Sequence, residues 1–225
     1  MKNKDFFIAI YTHECKSYCD EQFFNNLFQS NLDKAIIRII DNSNNLNYTE
    51  KLKSICNKFS NIDYNIEHID VSRNDLTTLF LRNVADSVNY LRDKFLKTDC
   101  KYFVILESDL LPPTEWLSYF LEVIDKADLI GGVYYFGVHR EELFRDPTIL
   151  EFVHHVLSGC TLYKREVIEK LPFRWSTENL NAFPDAWMSA DSTKEGFKLA
   201  NYSKIKCDHL HRLEPPFGRG HNLIS

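Results

Sequence analysis

Two carboxylates stand one residue apart where an apolar run of strand character ends, within Lys101–Pro113, KYFVILESDLLPP. In an extended chain residues i and i+2 project to the same side, so the side chains of Glu107 and Asp109 can converge on one point. Pro112 and Pro113 would end the strand just beyond them. Oxygen ligands in this arrangement suit Mg²⁺ or Mn²⁺ carrying a phosphorylated substrate. The same residues also fit an acidic turn that faces water, so the rest of the chain has to decide.

The sequence on either side of this acid pair alternates between strand-like and helix-like segments. Five apolar runs have β character, and the stretches between the first four are long enough for helices. This alternation predicts an α/β fold, a single sandwich with a mainly parallel central sheet and flanking helices. The predicted strands are Phe6–Tyr11, Ala35–Ile40, Tyr64–Ile69, Tyr102–Leu106 and Leu129–Val133. The predicted helices are Cys19–Gln29, Thr49–Lys58, Leu76–Phe95 and Thr114–Lys126.

Three of these strands finish in polar residues. They are the first, second and fourth, which end in Thr12-His13-Glu14, Asp41-Asn42-Ser43 and Glu107-Ser108-Asp109. Asp41 taken alone favours a turn, because Asp-Asn-Ser is good turn chemistry. In open parallel sheets, however, ligands gather beyond the carboxyl ends of the strands. Three polar strand ends therefore predict a ligand site at one edge of the sheet.

The second half of the chain is less regular. Ser158–Lys170 predicts a short strand followed by a helix. A further helix is predicted over Ala186–Glu195, with Gly196 as its stop. Strand-like sequence follows over Lys198–Cys207.

Composition narrows the class of protein. The 225 residues are 44% apolar and contain no Pro/Gly/Ser-rich linker, which predicts one domain with a sizeable core. The net charge of −5 and the scattered Lys and Arg argue against nonspecific nucleic-acid binding. Six cysteines without a Cys-x-x-Cys pair predict reduced, mostly structural thiols. The first apolar run is too short for a signal peptide and no later run approaches membrane-spanning length, so we expect a soluble cytoplasmic protein.

Taken in order, these motifs resemble the nucleotide-sugar glycosyltransferases of the GT-A fold, most closely the inverting family 2 type. The resemblance runs from Phe6 to about His211. It implies a GT-A-like domain over residues 1–211, whose nucleotide-binding half is about 1–133 and acceptor half about 134–211, and a C-terminal tail or lid over 212–225. The motifs that carry it are the loop after the first strand, Asp41, Leu81-Arg82-Asn83, Glu107-Ser108-Asp109, Gly159–Arg165, Asp185 and a late His.

The resemblance implies roles on the donor side of such a site. Thr12 and Asp41 would contact the nucleoside, Asp41 through the base, and Arg82 would help to order the nucleotide pocket. Asp109 matches the second carboxylate of the family's Asp-x-Asp motif and would bind the divalent ion that bridges the diphosphate. Glu107 matches the first carboxylate, nearer the ribose or the ion. The family usually has Asp there, and the extra methylene changes the reach of the side chain.

The resemblance also implies a catalytic base and a further metal ligand. His209 or His211 resembles the late His that completes the metal shell in some relatives, and imidazole suits Mn²⁺ better than Mg²⁺. Asp185 resembles the catalytic base, although Pro184 stands where relatives carry a second acid. Trp187 offers an apolar platform for the acceptor sugar or base. The alternatives are surface or core histidines, a core Trp187, and Asp185 as the N-cap of the following helix.

The implied function is metal-dependent transfer of a sugar from a nucleotide diphosphate, expected to be UDP-linked, with inversion. A saccharide, a protein, a small molecule or a modified DNA base remain open as the acceptor. A DNA acceptor requires a basic groove on one face beside the metal site. The candidates for that groove are Arg140, Lys164, Arg165 and Arg174.

Two rival classes also remain. A nucleotidyltransferase would use a similar sheet and acidic metal site, but its first loop is usually rich in glycine, and Thr12–Lys16 contains none. A noncatalytic carbohydrate-binding relative would keep the fold and lose the chemistry. The Glu at position 107 and the missing acid before Asp185 keep that class open.

Overall fold

The structure is a computed structural model that describes residues 4–59, 62–69, 78–134, 146–177 and 182–210. Within these residues it is a mixed α/β fold, as the sequence predicts. The strands are β1 Phe6–Thr12, β2 Ala35–Asp41, β3 Tyr64–His68, β4 Tyr102–Leu106, β5 Leu110–Leu111, β6 Leu129–Val133, β7 Leu150–Phe152, β8 Cys160–Lys164, β9 Leu199–Lys206 and β10 Asp208–His209. The helices are α1 Asp20–Gln29, α2 Leu46–Cys56, α3 Thr78–Phe95, α4 Trp116–Val123, α5 Arg165–Lys170 and α6 Pro184–Lys194, and a 3₁₀ turn covers Glu14–Lys16.

Eight strands form one sheet in the order β3-β2-β1-β4-β8-β6-β9-β7. The first four of that order run parallel, and β6 is parallel to β9. Strand β8 enters between β4 and β6 antiparallel to both, and β7 is antiparallel to β9. The mainly parallel sheet of the prediction therefore holds, with an antiparallel strand inserted near its centre.

The register of the parallel strands brings their polar ends to one edge. Thr12 pairs with Asp41 at the end of β1 and β2, and Asp41 pairs with His68 at the end of β3. A helix connects each of these parallel strands to the next, so the carboxyl ends of all four strands lie next to one another. The polar side chains predicted to meet at this edge are therefore neighbours.

The two faces of the sheet bury separate apolar layers. Alternate residues of β1 face opposite ways, because side chains alternate along a strand. Phe6, Ile8 and Ile10 pack in the layer with α1, α2 and α4, while Phe7 and Ala9 pack in the layer with α3, α5 and α6. Both faces of β1 are consequently buried, which explains its nearly continuous apolar sequence.

Most predicted elements agree with the structure to within a few residues. Strands β4 and β6 have the predicted bounds. Helix α2 begins three residues before its predicted start because the Asn45 side chain accepts a hydrogen bond from the Asn47 amide and caps it. Helix α6 begins at Pro184 with Phe183 as its N-cap, so the alternative that made Asp185 the N-cap is wrong. The predicted start of α3 at Leu76 lies outside the described residues.

All six cysteines are free thiols, and five of them are buried, as the sequence predicts for structural thiols. No helix in the described part of the chain is long and apolar enough to cross a membrane.

Candidate functional site

The acid pair lies in the turn between β4 and β5, at the polar edge of the sheet. The Tyr11 hydroxyl donates to Glu107 Oε1 at 2.9 Å, and the Glu107 amide donates to the Gly159 carbonyl at 2.7 Å. Asp109, two residues further on, is 7% exposed. Both carboxylates are therefore held at the end of β4, as the sequence predicts.

Lys16 bridges the two acids. Its ammonium nitrogen lies 2.9 Å from Asp109 Oδ1 and 3.6 Å from Glu107 Oε2. Lys16 ends the 3₁₀ turn after β1, which begins where the His13 side chain accepts a hydrogen bond from the Cys15 amide. Burial lowers the pKa of Lys16, but the charges of the two carboxylates outweigh it and raise the pKa above its ordinary value. Sequence reasoning missed this contact, and a lysine in the loop after the first strand is the signal that it left unused.

A short ribbon brings His209 to the acid pair. Strand β10 pairs antiparallel with β5, and the Leu210 amide donates to the Asp109 carbonyl at 2.8 Å. His209 Nε2 consequently lies 3.6 Å from Asp109 Oδ2, and its ring meets Tyr134 edge-on at 5.7 Å. Burial raises the pKa of Asp109, but His209 and Lys16 outweigh burial and lower it to about 2. Asp109 is therefore ionised, and it lies between the Lys16 ammonium and the His209 ring.

Asp185 lies in the first turn of α6, where the helix dipole favours a negative charge. Its Oδ1 accepts from the Ala186 amide at 2.8 Å and its Oδ2 from the Ser158 amide at 3.3 Å. His155 Nε2 lies 3.7 Å from the same Oδ2. Two backbone donors and an imidazole therefore fix the orientation of this carboxylate.

One loop joins Asp185 to the acid pair. The Ser158 amide contacts Asp185, while the next residue's carbonyl accepts from the Glu107 amide. Burial, the Glu107 charge and, more weakly, the other two carboxylates raise the pKa of Tyr11 well above its ordinary value. Burial and the charges of Glu107 and Asp185 do the same to the pKa of Tyr134. Glu107 and Asp185 therefore both lie near enough to Tyr11 and Tyr134 to act on these two phenols through their charge.

Gly159 is required where this loop approaches β5. A Cβ built at this position would lie 2.5 Å from Leu110 Cδ1 and 2.6 Å from the Tyr134 hydroxyl. Both neighbours are buried and have little room to move. The close approach of this loop, which contacts both Asp185 and Glu107, to β5 therefore depends on a residue without a side chain.

Asp41 is fully buried and already has partners for both carboxylate oxygens. Oδ1 accepts from the Ser43 amide at 2.8 Å, and Oδ2 accepts from the Thr49 hydroxyl at 2.5 Å. His68 Nδ1 lies 3.6 Å from Oδ2. The contact with Ser43 is the turn that Asp-Asn-Ser favours, and the contact with the nucleoside base stays a prediction.

Thr12 belongs to a chain of buried hydroxyls that starts in the acidic motif. The Ser108 hydroxyl donates to Thr12 Oγ1 at 2.9 Å, and the Tyr48 hydroxyl donates to Asp20 at 2.7 Å. The Thr12 and Tyr48 oxygens are 3.3 Å apart. Each hydroxyl has one proton, so Thr12 must donate to Tyr48. Ser108 thereby ties the acidic turn to the end of β1.

Arg82 lies on α3 and its side chain is more than half exposed. Its Nε donates to Asp86 Oδ2 at 3.2 Å, one turn along the same helix. Its guanidinium lies 5.9 Å from the centre of the Trp175 ring. No described contact joins Arg82 to the three carboxylates, and its role in ordering a nucleotide pocket stays a prediction.

Trp187 lies on α6, two residues after Asp185. The Arg174 guanidinium stacks 3.8 Å from the centre of its ring, and the same guanidinium forms two hydrogen bonds with Asp191. The half-buried indole has a buried Nε1 without a hydrogen-bond partner. Trp187 is therefore a half-buried aromatic residue on the helix that carries the candidate base, rather than a fully buried core residue.

The described cations proposed for a nucleic-acid groove, Lys164, Arg165 and Arg174, do not share one face. Lys164 and Arg165 lie at the other end of β4, where Lys164 pairs with Tyr102, and they bind Asp128 and the Cys100 carbonyl. Of the others, Arg174 is beside Trp187 and Arg140 is outside the described residues. This scatter disfavours a DNA acceptor.

The chemistry of the described donors fits a divalent ion, although the ligand set is incomplete. No group of three or more His, Cys, Asp or Glu side chains is arranged to hold a metal within the residues that the structure describes. Asp109 and His209 offer one oxygen and one nitrogen, and His211, the other predicted ligand, lies outside those residues. Among the described side chains, the two carboxylates of Glu107 and Asp109 share the one ammonium of Lys16, which leaves net negative charge for a cation to neutralise.

Several solved structures are similar to this chain over almost its whole length. The mannosyltransferase PcManGT from Pyrobaculum calidifontis, in complex with GDP-Man and Mn²⁺, gives a TM-score of 0.67 at 12% identity and covers 95% of this chain and 59% of that chain. TarS 1-349 from S. aureus gives 0.65 at 11% identity and covers 92% and 60%. GalNAc-T7 with UDP, GalNAc and Mn²⁺ gives 0.68 at 14% identity and covers 95% and 45%.

This chain has the GT-A fold. The feature shared with these structures is a large, mostly parallel central sheet flanked by helices. The chain spans 60% or less of the length of each of these three structures. No protein-family model and no curated protein sequence matches it.

Proposed function

We propose that this GT-A chain is a glycosyltransferase of the hexosyltransferase class. It would move a sugar from a nucleotide diphosphate donor, with a UDP-sugar expected, to an acceptor hydroxyl with inversion at the anomeric carbon. One observation carries the proposal: the adjacent residues Ser158 and Gly159 contact Asp185 and Glu107, respectively. A candidate base and a candidate diphosphate site therefore share one loop at the edge of the sheet where parallel folds bind ligands.

On the donor side, Thr12 and Asp41 contact the nucleoside at the ends of β1 and β2. The two residues pair in the sheet, and Thr12 is tied to the acidic turn through Ser108. Each Asp41 oxygen accepts one hydrogen bond and can accept a second, so Ser43 and Thr49 can stay in place, but contact with the base requires a neighbour to move because Asp41 is fully buried. The ribose then lies towards Glu107, and Arg82 orders the outer part of the pocket.

On the acceptor side, Asp185 is the general base. As the acceptor oxygen attacks the anomeric carbon, its proton passes to Asp185, and the bond from that carbon to the diphosphate breaks on the opposite face. The Ser158 and Ala186 amides keep the carboxylate in place during this step. Trp187, two residues along α6, provides the apolar surface against which an acceptor sugar packs.

The leaving diphosphate needs positive charge. Asp109 and His209 would hold a divalent ion, with Mn²⁺ preferred by the imidazole and Mg²⁺ by the carboxylate. Such an ion neutralises negative charge as it develops on a departing phosphate. Tyr11 holds Glu107 in position at the same edge.

We also propose which part of the chain binds each substrate and where the protein is located. Residues 1–133 bind the nucleotide, 134–211 bind the acceptor, and 212–225 act as a tail or lid. The free state of all six thiols supports a reducing, cytoplasmic location.

The proposal is tested by measuring thermal stability with UDP, GDP, CDP and a panel of UDP-sugars, each with and without Mn²⁺. A ligand that binds only the folded state raises the melting temperature by mass action. We expect one nucleotide to raise it in a metal-dependent way, and we expect Asp109→Asn to abolish that rise. A flat response to every nucleotide would instead support the noncatalytic carbohydrate-binding class.

A further inference from the structure

Lys16 has a position that the roles described above do not explain. It touches both members of the acid pair, at 2.9 Å from Asp109 and 3.6 Å from Glu107. Its side chain is 24% exposed, so part of it reaches the surface. A long, flexible side chain that reaches the site from the 3₁₀ turn after β1 can change partner without a change in the sheet.

The contact with Asp109 competes with a divalent ion. The Asp109 oxygen that binds Lys16 is on the same carboxylate as the oxygen that faces His209. A divalent ion held there would lie within a few ångströms of the ammonium, and two cations at that separation repel each other strongly. Binding of Lys16 to Asp109 and binding of the ion to Asp109 and His209 therefore weaken each other.

A donor brings the partner that Lys16 would need after leaving. The diphosphate of a nucleotide-sugar is anionic, and it must lie beside any ion held by Asp109. Lysine is a common phosphate ligand, acting as a point charge. The turn that carries Lys16 follows β1, whose last residue, Thr12, is the candidate nucleoside contact. A phosphate bound beside that ion would therefore offer the ammonium a new partner close to the one that it leaves.

We propose that Lys16 is a donor-binding residue that exchanges places with the divalent ion. In the donor-free protein it neutralises Glu107 and Asp109. When the ion and the nucleotide-sugar enter, Lys16 releases Asp109 and binds the diphosphate. This inference rests on the proposed function and adds to it a cation that neither the motifs nor the resemblance assigned.

The exchange is tested by titrating Mn²⁺ alone into the wild-type protein and into Lys16→Met by isothermal calorimetry. We expect Lys16→Met to bind Mn²⁺ about tenfold more tightly, because a competing cation is gone. With Mn²⁺ saturating, we expect UDP, GDP or CDP, whichever binds the wild type, to bind Lys16→Met about tenfold more weakly, because one charged hydrogen bond to phosphate is lost.

Two further variants control for loss of charge and for misfolding. Lys204→Met removes a lysine that pairs with the exposed Glu122 away from the site, and it should change neither affinity. Lys16→Arg keeps the charge at the site and should bind Mn²⁺ as weakly as the wild type. The melting temperature of each variant shows that it is folded under the conditions of the titration.

Three results would overturn the exchange. Unchanged Mn²⁺ affinity in Lys16→Met, with metal-dependent nucleotide binding by the wild type, would remove the exchange and leave the proposed function standing. Tighter Mn²⁺ binding with unchanged nucleotide affinity would make Lys16 only a block to the ion. Nucleotide binding that ignores Mn²⁺ and is lost in Lys16→Met would make Lys16 the permanent cation. Binding of no nucleoside diphosphate by the wild type is a different outcome, since it refutes the proposed function itself.

Discussion

The two halves of this molecule build their part of the site in different ways. In the first half, β1, β2, β3 and β4 run parallel and deliver polar residues at their carboxyl ends. In the second half, the site residues come from a loop before a strand, from the first turn of a helix and from a two-residue ribbon. The helix residue is Asp185, the ribbon residue is His209, and the loop is Ser158–Gly159.

Strand direction explains this difference. Strand β8 is antiparallel to β4, and Cys160 at its start pairs with Leu106 at the end of β4. Because β8 is antiparallel, its first residue lies at the ligand site. The residues that it brings to the site, Ser158 and Gly159, therefore come before the strand in sequence. The rule that ligands lie beyond carboxyl strand ends applies to the first half of this sheet and misses the second.

The largest effect is expected at Asp185, where one substitution should remove sugar transfer and leave donor binding unchanged. Asp185→Asn in the second half should lower the rate of sugar transfer about 1,000-fold, because the variant cannot take the acceptor proton. Donor binding, which we assign to the first half, should not change. Transfer assays and calorimetric donor titrations measure the two effects. Asp125→Asn, an exposed acid just after α4, is the matched control. Transfer that survives in Asp185→Asn would place the base elsewhere.

The next effect tests the acid pair of the first half. Asp109→Asn should weaken Mn²⁺ binding at least about 100-fold and abolish turnover, because the variant loses the carboxylate that faces His209 and Lys16. Calorimetric titration with Mn²⁺ measures the affinity. Asp208→Asn, an exposed acid next to His209, should behave as the wild type. Metal-dependent turnover in Asp109→Asn would refute the metal assignment.

The loop Ser158–Gly159, which contacts both Asp185 and Glu107, depends on Gly159 for its packing. Gly159→Ala should lower the free energy of unfolding by about 1–3 kcal/mol, because its Cβ would overlap Leu110 and Tyr134. Urea denaturation measures the loss. Gly196→Ala meets no atom within 4 Å but has a φ of +85°, so it should cost only about 1 kcal/mol. Equal costs for the two variants would show that the loop is not tightly packed against β5.

A smaller effect is expected on the free energy of unfolding at low pH. The pKa of Asp109, lowered to about 2 from an ordinary 3.8, means that its ionised form stabilises the fold. This stabilisation is complete above about pH 4 and is lost as the pH falls through about 2; it amounts to at most about 2 kcal/mol. Asp109→Asn should therefore flatten the fall in unfolding free energy between these pH values. An unchanged acid profile would mean that Lys16 and His209 do not stabilise the carboxylate.

The smallest effect is expected at Arg82. Its side chain is more than half exposed and already pairs with Asp86, so Arg82→Ala should weaken donor binding by less than about twofold. Titration with the preferred nucleotide in saturating Mn²⁺ measures it. A tenfold loss would show that Arg82 reaches the nucleotide directly and extends the donor site along α3.

The local elements of this fold were predictable because their signals are local. The apolar runs and polar ends of β1, β2 and β4 are visible within a few residues, and the bounds of β4 and β6 were predicted as observed. The helix starts were less accurate, since caps such as Asn45 and Phe183 depend on details of single residues. The predictions for His211 and the tail concern residues that the structure does not describe.

The sequence by itself determined the α/β alternation and the acid pair at the end of the fourth strand. Side-chain periodicity and turn chemistry are short-range properties, so one strand and its loop suffice to show them. Only the tertiary structure decided that Lys16 lies on Asp109, 93 residues away, and that Asp185 reaches the same edge through Ser158. Those contacts depend on the parallel register of β1 with β4 and on the insertion of β8, and no local pattern encodes either of them.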